Sequence, residues 1–230
     1  MMNYEIIKNE NILKDFIDFL PELKSHETYY CTLFARKKYC VDTPRWKSDK
    51  ESLKRFTSDK QFLFRKIKQL ECEIGSYTND DLVLGNDVLA LYITINPRDM
   101  QIAATKGLIE LTNAVTKPYN GYNPHAMILN AIQQSRSKSP YFDIDYDGVT
   151  TEEVIPELMG KINCDAVTFL HTRGGFHLLI KTDAVDVKYK KSWYKSLTSI
   201  KGMDVRGDGL IPVPGTNQGG FMPYLSTYKW

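Results

Sequence analysis

Apolar positions recur at helical spacing from about Asn11 to Leu20, where Ile12, Leu13, Phe16, Phe19 and Leu20 share one face and Pro21 follows. This pattern predicts a first helix. Tyr29 to Ala35 reads as a strand, and a long basic helix is expected from near Ser58 to just before Gly75. Val88 to Ile95 is an apolar strand closed by Asn96-Pro97-Arg98, after which Asp99 can cap a helix running to about Val115. Pro118, Gly121 and Pro124 mark a loop before another helix, about His125 to Gln134.

The second half alternates more regularly. Tyr141 to Tyr146 is a strand, and Thr150 with Glu153 three residues on is a capping-box signature opening a helix to about Ile162. Asp165 to His171 is a strand, Arg173-Gly174-Gly175 a tight turn, and Phe176 to Lys181 a strand running back. Val187 to Ile200 reads as a helix, and Met203 to Val205 begins a last strand. The order β-α-β-β-α-β predicts an α+β fold of the ferredoxin-like or RNA-recognition-motif kind, with both helices on one face of an antiparallel sheet and the other face open. Residues 1–85 are expected to form a basic, mainly helical lobe and residues 86–230 a core. No linker forces a boundary, so the two can pack as one unit.

Charge adds a location rather than a total. The net charge of the 230 residues is only +2, but Arg36 to Lys68 holds twelve Lys/Arg against four Asp/Glu, an excess of eight. Tyr39, Trp46, Phe56, Phe62 and Phe64 interleave with it. Basic groups bind phosphate and aromatic faces stack on unpaired bases, so an anionic partner is expected here, with a solvated helix face as the plainer alternative. The four cysteines (Cys31, Cys40, Cys72, Cys164) are scattered without a CxxC pair, so no zinc is expected. No apolar run approaches the roughly 20 residues that cross a bilayer, and Met1 to Glu10 lacks a signal-peptide core; no membrane and a cytoplasmic location are expected.

Phe142-Asp143-Ile144-Asp145 carries the most chemistry. Strand alternation sends Phe142 and Ile144 one way and Asp143 and Asp145 the other. Two carboxylates so close need a counter-charge, and hard oxygen ligands suit Mg²⁺ or Mn²⁺. Taken alone, the pair reads first as two solvated aspartates at a strand end. The hairpin His171-Thr172-Arg173-Gly174-Gly175-Phe176-His177 adds weight, because the third strand of this topology pairs beside the first and places His177 next to the two acids. Thr172 and Arg173 supply a hydroxyl and a guanidinium that suit triphosphate oxygens. Asp204, entering the last strand, can complete the acidic cluster, whereas Asp208 in Gly-Asp-Gly reads first as turn geometry. Three acids and a histidine on one sheet face fit two-metal phosphoryl transfer.

Asp143-Ile144-Asp145, then Thr172 to His177, then Met203-Asp204 resemble the three motifs of the archaeo-eukaryotic primase superfamily, and the stretch Asp204 to Gly209 is similar to a segment of plasmid and phage primase-polymerases. Pro214 to Gly220 looks like a loop after the third motif in that family, and Tyr92 to Arg98 like a strand before the first. The resemblance covers about residues 90–225 and departs at Gly175, where the family often has serine. It implies that Asp143, Asp145 and Asp204 bind two Mg²⁺ or Mn²⁺ ions and that His177 contacts the incoming nucleotide's phosphates. Thr172, Arg173, Lys181 and Arg206 are expected as further nucleotide contacts, and Arg36, Lys37, Lys38 and Arg98 as nucleic-acid contacts. The implied activity is template-dependent joining of (d)NTPs on single-stranded DNA, with a separate replicative helicase or single-strand-binding protein as partner. The alternatives are a silent single-strand-binding module, disfavoured by carboxylates on the expected open face, and another metal-dependent nuclease or cyclase on a similar sheet.

Overall fold

The computed structural model describes residues 2–40, 48–79, 82–200 and 203–230. In chain order the elements are α1 (Glu10–Phe19), β1 (Glu27–Arg36), β2 (Lys50–Ser58), α2 (Lys60–Lys68), the short β3 (Thr78–Asn79) and β4 (Leu82–Val83), β5 (Leu89–Thr94), β6 (Arg98–Asp99), α3 (Met100–Val115) and α4 (Pro124–Gln134). There follow β7 (Tyr141–Asp147), α5 (Thr151–Leu158), β8 (Val167–His171), β9 (Gly175–Lys181), α6 (Trp193–Leu197), β10 (Met203–Gly207), β11 (Leu210–Pro212) and β12 (Tyr224–Ser226). The fold is mixed α+β with antiparallel sheets.

The first sheet has the order β11-β5-β1-β2, with β6 also pairing β1. β1 lies between two neighbours, which is why nearly all of its residues are buried on both faces. Tyr29, Cys31, Leu33 and Ala35 enter a core with Leu13 and Phe16 of α1 and Leu63 and Ile67 of α2. On the opposite face Tyr30 packs with Ala103, Leu129 and Ile132 from α3 and α4. Asn9 starts α1 by accepting from the amides of Asn11 and Ile12, and Asp99 does the same for Gln101 and Ile102 at α3, as expected.

The second sheet has the order β10-β7-β9-β8-β12. Ile144, Tyr146, Phe176, Leu178 and Ile180 pack on one face with Val154 and Leu158 of α5 and Leu197 of α6. The capping box at Thr150 and Glu153 is formed. The expected open face is partly covered: Tyr141, Leu170 and Leu179 belong to the core of the first sheet. The sheets therefore share apolar contact, and the acids of β7 face a cleft rather than bulk solvent.

One residue ties the sheets together. Asn96, fully buried just after β5, accepts from the amide of Tyr141 at 3.0 Å and donates to its carbonyl at 2.9 Å, as a neighbouring strand would. The same Nδ2 donates to Asp208 at 2.9 Å, and Asp208 also pairs with Arg98. Asp208 is thus an ion-pair anchor at the crossover from β10 to β11, beyond the turn role read from its glycines.

Three expectations need correction. Residues 1–85 are not mainly helical, because β1 and β2 match α1 and α2 in length, and the sheet they build takes β5 and β11 from beyond residue 85. The basic helix is short, Lys60–Lys68, and the segment ahead of it is β2, an edge strand with charged residues, Lys50, Glu51, Lys54 and Arg55, along both faces, which hides the alternation that marks a strand. The helix expected over Val187–Ile200 is reduced to Trp193–Leu197, since Lys188, Lys190 and Lys191 leave little apolar face ahead of Trp193.

Candidate functional site

β7 and β9 are neighbours, with Asp145 opposite His177 and Asp143 opposite Leu179. Opposed residues in an antiparallel pair share a face, so the two acids and the imidazole converge. His177 Nδ1 lies 2.8 Å from Asp143 Oδ1, and Nε2 lies 3.5 Å from Asp145 Oδ1. The hairpin can approach β7 this closely because position 175 has no side chain: a Cβ there would collide with the Tyr146 carbonyl oxygen. That accounts for glycine where the resemblance leads one to expect serine.

The electrostatics follow from this burial. Asp143 is 0% exposed, and while Oδ1 meets His177, Oδ2 is buried without a hydrogen-bond partner. Burial opposes charge on His177, but Asp143, then Asp145 and Asp147, outweigh it and hold the imidazole above its ordinary pKa. Burial pushes the Asp145 carboxyl up, with Asp147 and Asp143 adding to the effect and His177 and Arg206 opposing it.

Asp145 and Asp147 line a cleft of about 290 Å³, with Asp143 buried beside it against His177. Asp145, Asp147 and His177 face Arg36, Lys38 and Lys50 from the first sheet and its following turn, with Tyr92 and Gln218 between. Arg36 is 5% exposed and fully engaged: Nε and Nη2 meet Asp49 at 2.9 and 2.7 Å, and Nη1 donates to the Tyr92 hydroxyl. Burial, then Arg36 and Arg206, pull the Lys50 ammonium below its ordinary pKa. A second cleft of about 280 Å³ adjoins the first, sharing Gln133, Gly209 and Leu210 and reaching Arg98 and Thr94.

Of the expected site residues, Asp143, Asp145 and His177 are brought together, and Thr172, Arg206, Arg36 and Lys38 line the same cleft. Asp204 stands opposite Asp145 across the β10–β7 pair, but its side chain is 60% exposed and bound to Arg206 at 2.7 Å. Arg173 turns away, stacking over Tyr39 with 4.3 Å to the ring centroid and donating to the Gly219 carbonyl. Lys181 lies four residues beyond His177 on β9, roughly 13 Å along a strand at about 3.3 Å per residue, and is exposed opposite Tyr141. Neither lines the cleft. Arg98 is buried against Asp208 and borders the second cleft. Lys37 lies in the turn after β1 and does not line the cleft. Trp46, named with the basic aromatic segment, lies outside the described residues.

Lys50, Tyr92 and Gln218 escaped the sequence reading as site residues. Gln218 sits in the Pro214–Gly220 loop that the resemblance flagged, while Lys50 gave no signal beyond its place in a basic stretch.

Among the described residues no group of three or more His, Cys, Asp or Glu side chains is close enough to hold a metal ion. Magnesium commonly takes one or two carboxylates and completes its shell with water and substrate phosphates. The orphaned Asp143 Oδ2 and the neighbouring Asp145 fit that donor set. Gly209 leaves room beside them, since a Cβ there would lie 3.4 Å from Asp143 Oδ2. No helix among the described residues is long and apolar enough to cross a membrane. Comparison of the chain with protein-family models, curated proteins and solved structures gave no match.

Proposed function

We propose that this chain is a metal-dependent nucleotidyl transferase of the primase-polymerase type, joining (d)NTPs on a single-stranded DNA template. The observation that carries the reading is the cleft in which Asp145, Asp147 and His177 face Arg36, Lys38 and Lys50, with Asp143 buried against His177. The β-α-β-β-α-β order with β7 and β9 adjacent agrees with the primase resemblance.

In this reading Asp143 and Asp145 hold Mg²⁺ or Mn²⁺, with Asp204 available from β10. Bound divalent cations supply the charge that lowers the pKa of an attacking 3′-hydroxyl and neutralises the triphosphate. The 3′-oxygen–α-phosphorus bond forms as the α–β phosphoanhydride breaks, the hydroxyl proton passes to solvent, and pyrophosphate leaves. Lys38 and Lys50 neutralise phosphate oxygens from the opposite wall, and His177, oriented by Asp143, faces them from the acidic wall. Arg36 holds Tyr92 and the base of the basic wall in place. The adjoining cleft gives the sugar and base a polar surface at Gln133 and Gln134.

A silent binding module is supported by one observation, that Arg206 already neutralises Asp145 and Asp204. The deciding experiment is incorporation of labelled triphosphates on single-stranded DNA with Mg²⁺ or Mn²⁺, with and without primer. Metal-dependent product that disappears in Asp143→Ala/Asp145→Ala establishes the chemistry. DNA binding with no product under any of these conditions removes the enzyme reading.

A further inference from the structure

Arg206 occupies an unusual position. It lies on β10, the edge of the second sheet, where the register with β7 shifts between Val205 and Gly207, so Arg206 is the extra residue of a bulge. Bulges release a residue from the ladder and re-aim its side chain. Gly207 follows with φ +68°, and the amide of Asp208 turns back to the Arg206 carbonyl at 2.7 Å. The guanidinium bridges the two acids that flank it: Nη2 to Asp204 Oδ2 at 2.7 Å and Nε to Asp145 Oδ2 at 3.5 Å. Its side chain is nonetheless 50% exposed, in contrast with Arg36 on the far wall. Asp143 next to it keeps Oδ2 buried and unpartnered.

We infer that Arg206 is an exchangeable counter-ion: it holds Asp145 and Asp204 together in the metal-free chain and yields them to a divalent cation that arrives with a polyphosphate. This rests on the proposed metal-dependent reading of the same cleft. Two cations cannot share the acids' oxygens without repulsion, so metal entry displaces the guanidinium. The guanidinium remains within the cleft, where a polyphosphate is the anion it can turn to. The exchange makes metal and nucleotide binding mutually reinforcing, because each removes an obstacle to the other. Arg206 thereby acts as a positioning residue that disfavours metal binding by the empty site.

The test is Mn²⁺ binding followed by the electron paramagnetic resonance of free Mn²⁺, without turnover, on wild type, Arg206→Ala and Arg206→Lys. Without nucleotide, Arg206→Ala should bind Mn²⁺ several-fold more tightly than wild type, and Arg206→Lys should stay close to wild type. With a non-hydrolysable triphosphate present, wild-type affinity should rise several-fold and the rise should shrink in Arg206→Ala. Unchanged or weaker Mn²⁺ binding by Arg206→Ala, with wild type binding normally, overturns the exchange and leaves the metal site standing. Absence of Mn²⁺ binding in all three proteins, with and without the triphosphate, overturns the exchange and the metal site together.

Discussion

The two walls of the cleft are built on opposite terms. On the basic wall Arg36 has all three guanidinium nitrogens matched, two by Asp49 and one by Tyr92. On the acidic wall Asp143 is more deeply buried yet has one oxygen without a partner, and Asp145 is held by longer contacts to His177 and Arg206. A satisfied buried charge fixes shape, whereas an unsatisfied one is a cost that a ligand can relieve. In the proposed reading the basic wall therefore serves architecture and shallow phosphate contacts, and the acidic wall binding.

The largest effect is expected on the acidic wall. Asp145→Asn should lower nucleotide incorporation by on the order of 10²–10³-fold, the scale of losing one preorganised electrostatic group. Its melting temperature at neutral pH should rise. The folded carboxyl is pushed above its ordinary pKa, so the ionised form opposes folding, and stability declines as pH rises through that raised value. A loss of both activity and stability would break the contrast between the walls.

On the basic wall the balance should reverse. Arg36→Met should cost about 2 kcal/mol in a denaturant titration, since hydrogen bonds to charged groups count for more than neutral ones and Asp49 keeps some solvent. Stability unchanged by Arg36→Met would take away its architectural role. Gly209→Ala sharpens the comparison without touching a charge. Its Cβ would stand at ordinary contact distance from Asp143 Oδ2, so the melting temperature should hold while Mn²⁺ binding weakens several-fold. Equal Mn²⁺ affinity would place the ion elsewhere.

The smallest effect comes from an acid whose partners are complete. Glu27, at the other end of β1, receives the Lys24 amide at 2.8 Å, the Ser137 hydroxyl, and the Lys138 ammonium at 3.6 Å. Burial works against its charge, but these partners together hold its carboxyl below the ordinary value, the reverse of Asp145. Its contribution to stability is therefore full above the ordinary glutamate range and is lost as pH falls through the lowered folded value. Glu27→Gln should flatten that part of the acid unfolding curve, and an unchanged curve would remove Glu27 as its source.

The same contrast governs what the sequence could reveal. β7 was legible because one face is apolar and the other carries the acids, and β8 and β9 because a glycine turn joins two apolar runs. Those patterns sufficed to bring Asp143, Asp145 and His177 together. In the first sheet β1 and β5 were legible as apolar runs, but the sheet itself was not: β2 is a charged edge, and β11 joins β5 across more than a hundred residues. Lys50 and Tyr92 enter the site only through that strand order. Arg173 and Lys181 show the limit of reading charge by proximity in sequence, since a guanidinium can satisfy itself on Tyr39 and a strand can carry an ammonium out of reach.

Asn96 has a consequence for the geometry of the whole cleft. Its carboxamide stands at the seam where β5 of the first sheet meets β7 of the second, and it also steadies Asp208 where β10 gives way to β11. Both crossings between the walls are therefore gauged by one side chain, like the jaws of a caliper set by a single screw. Coulomb attraction falls inversely with separation, so the gap this amide sets also tunes how strongly opposite charges act on anything lodged between them. Asn96→Asp would keep the outline of the screw while turning its donor toward the Tyr141 carbonyl and Asp208 into a second acceptor. The jaws would then be pushed apart from the seam outward.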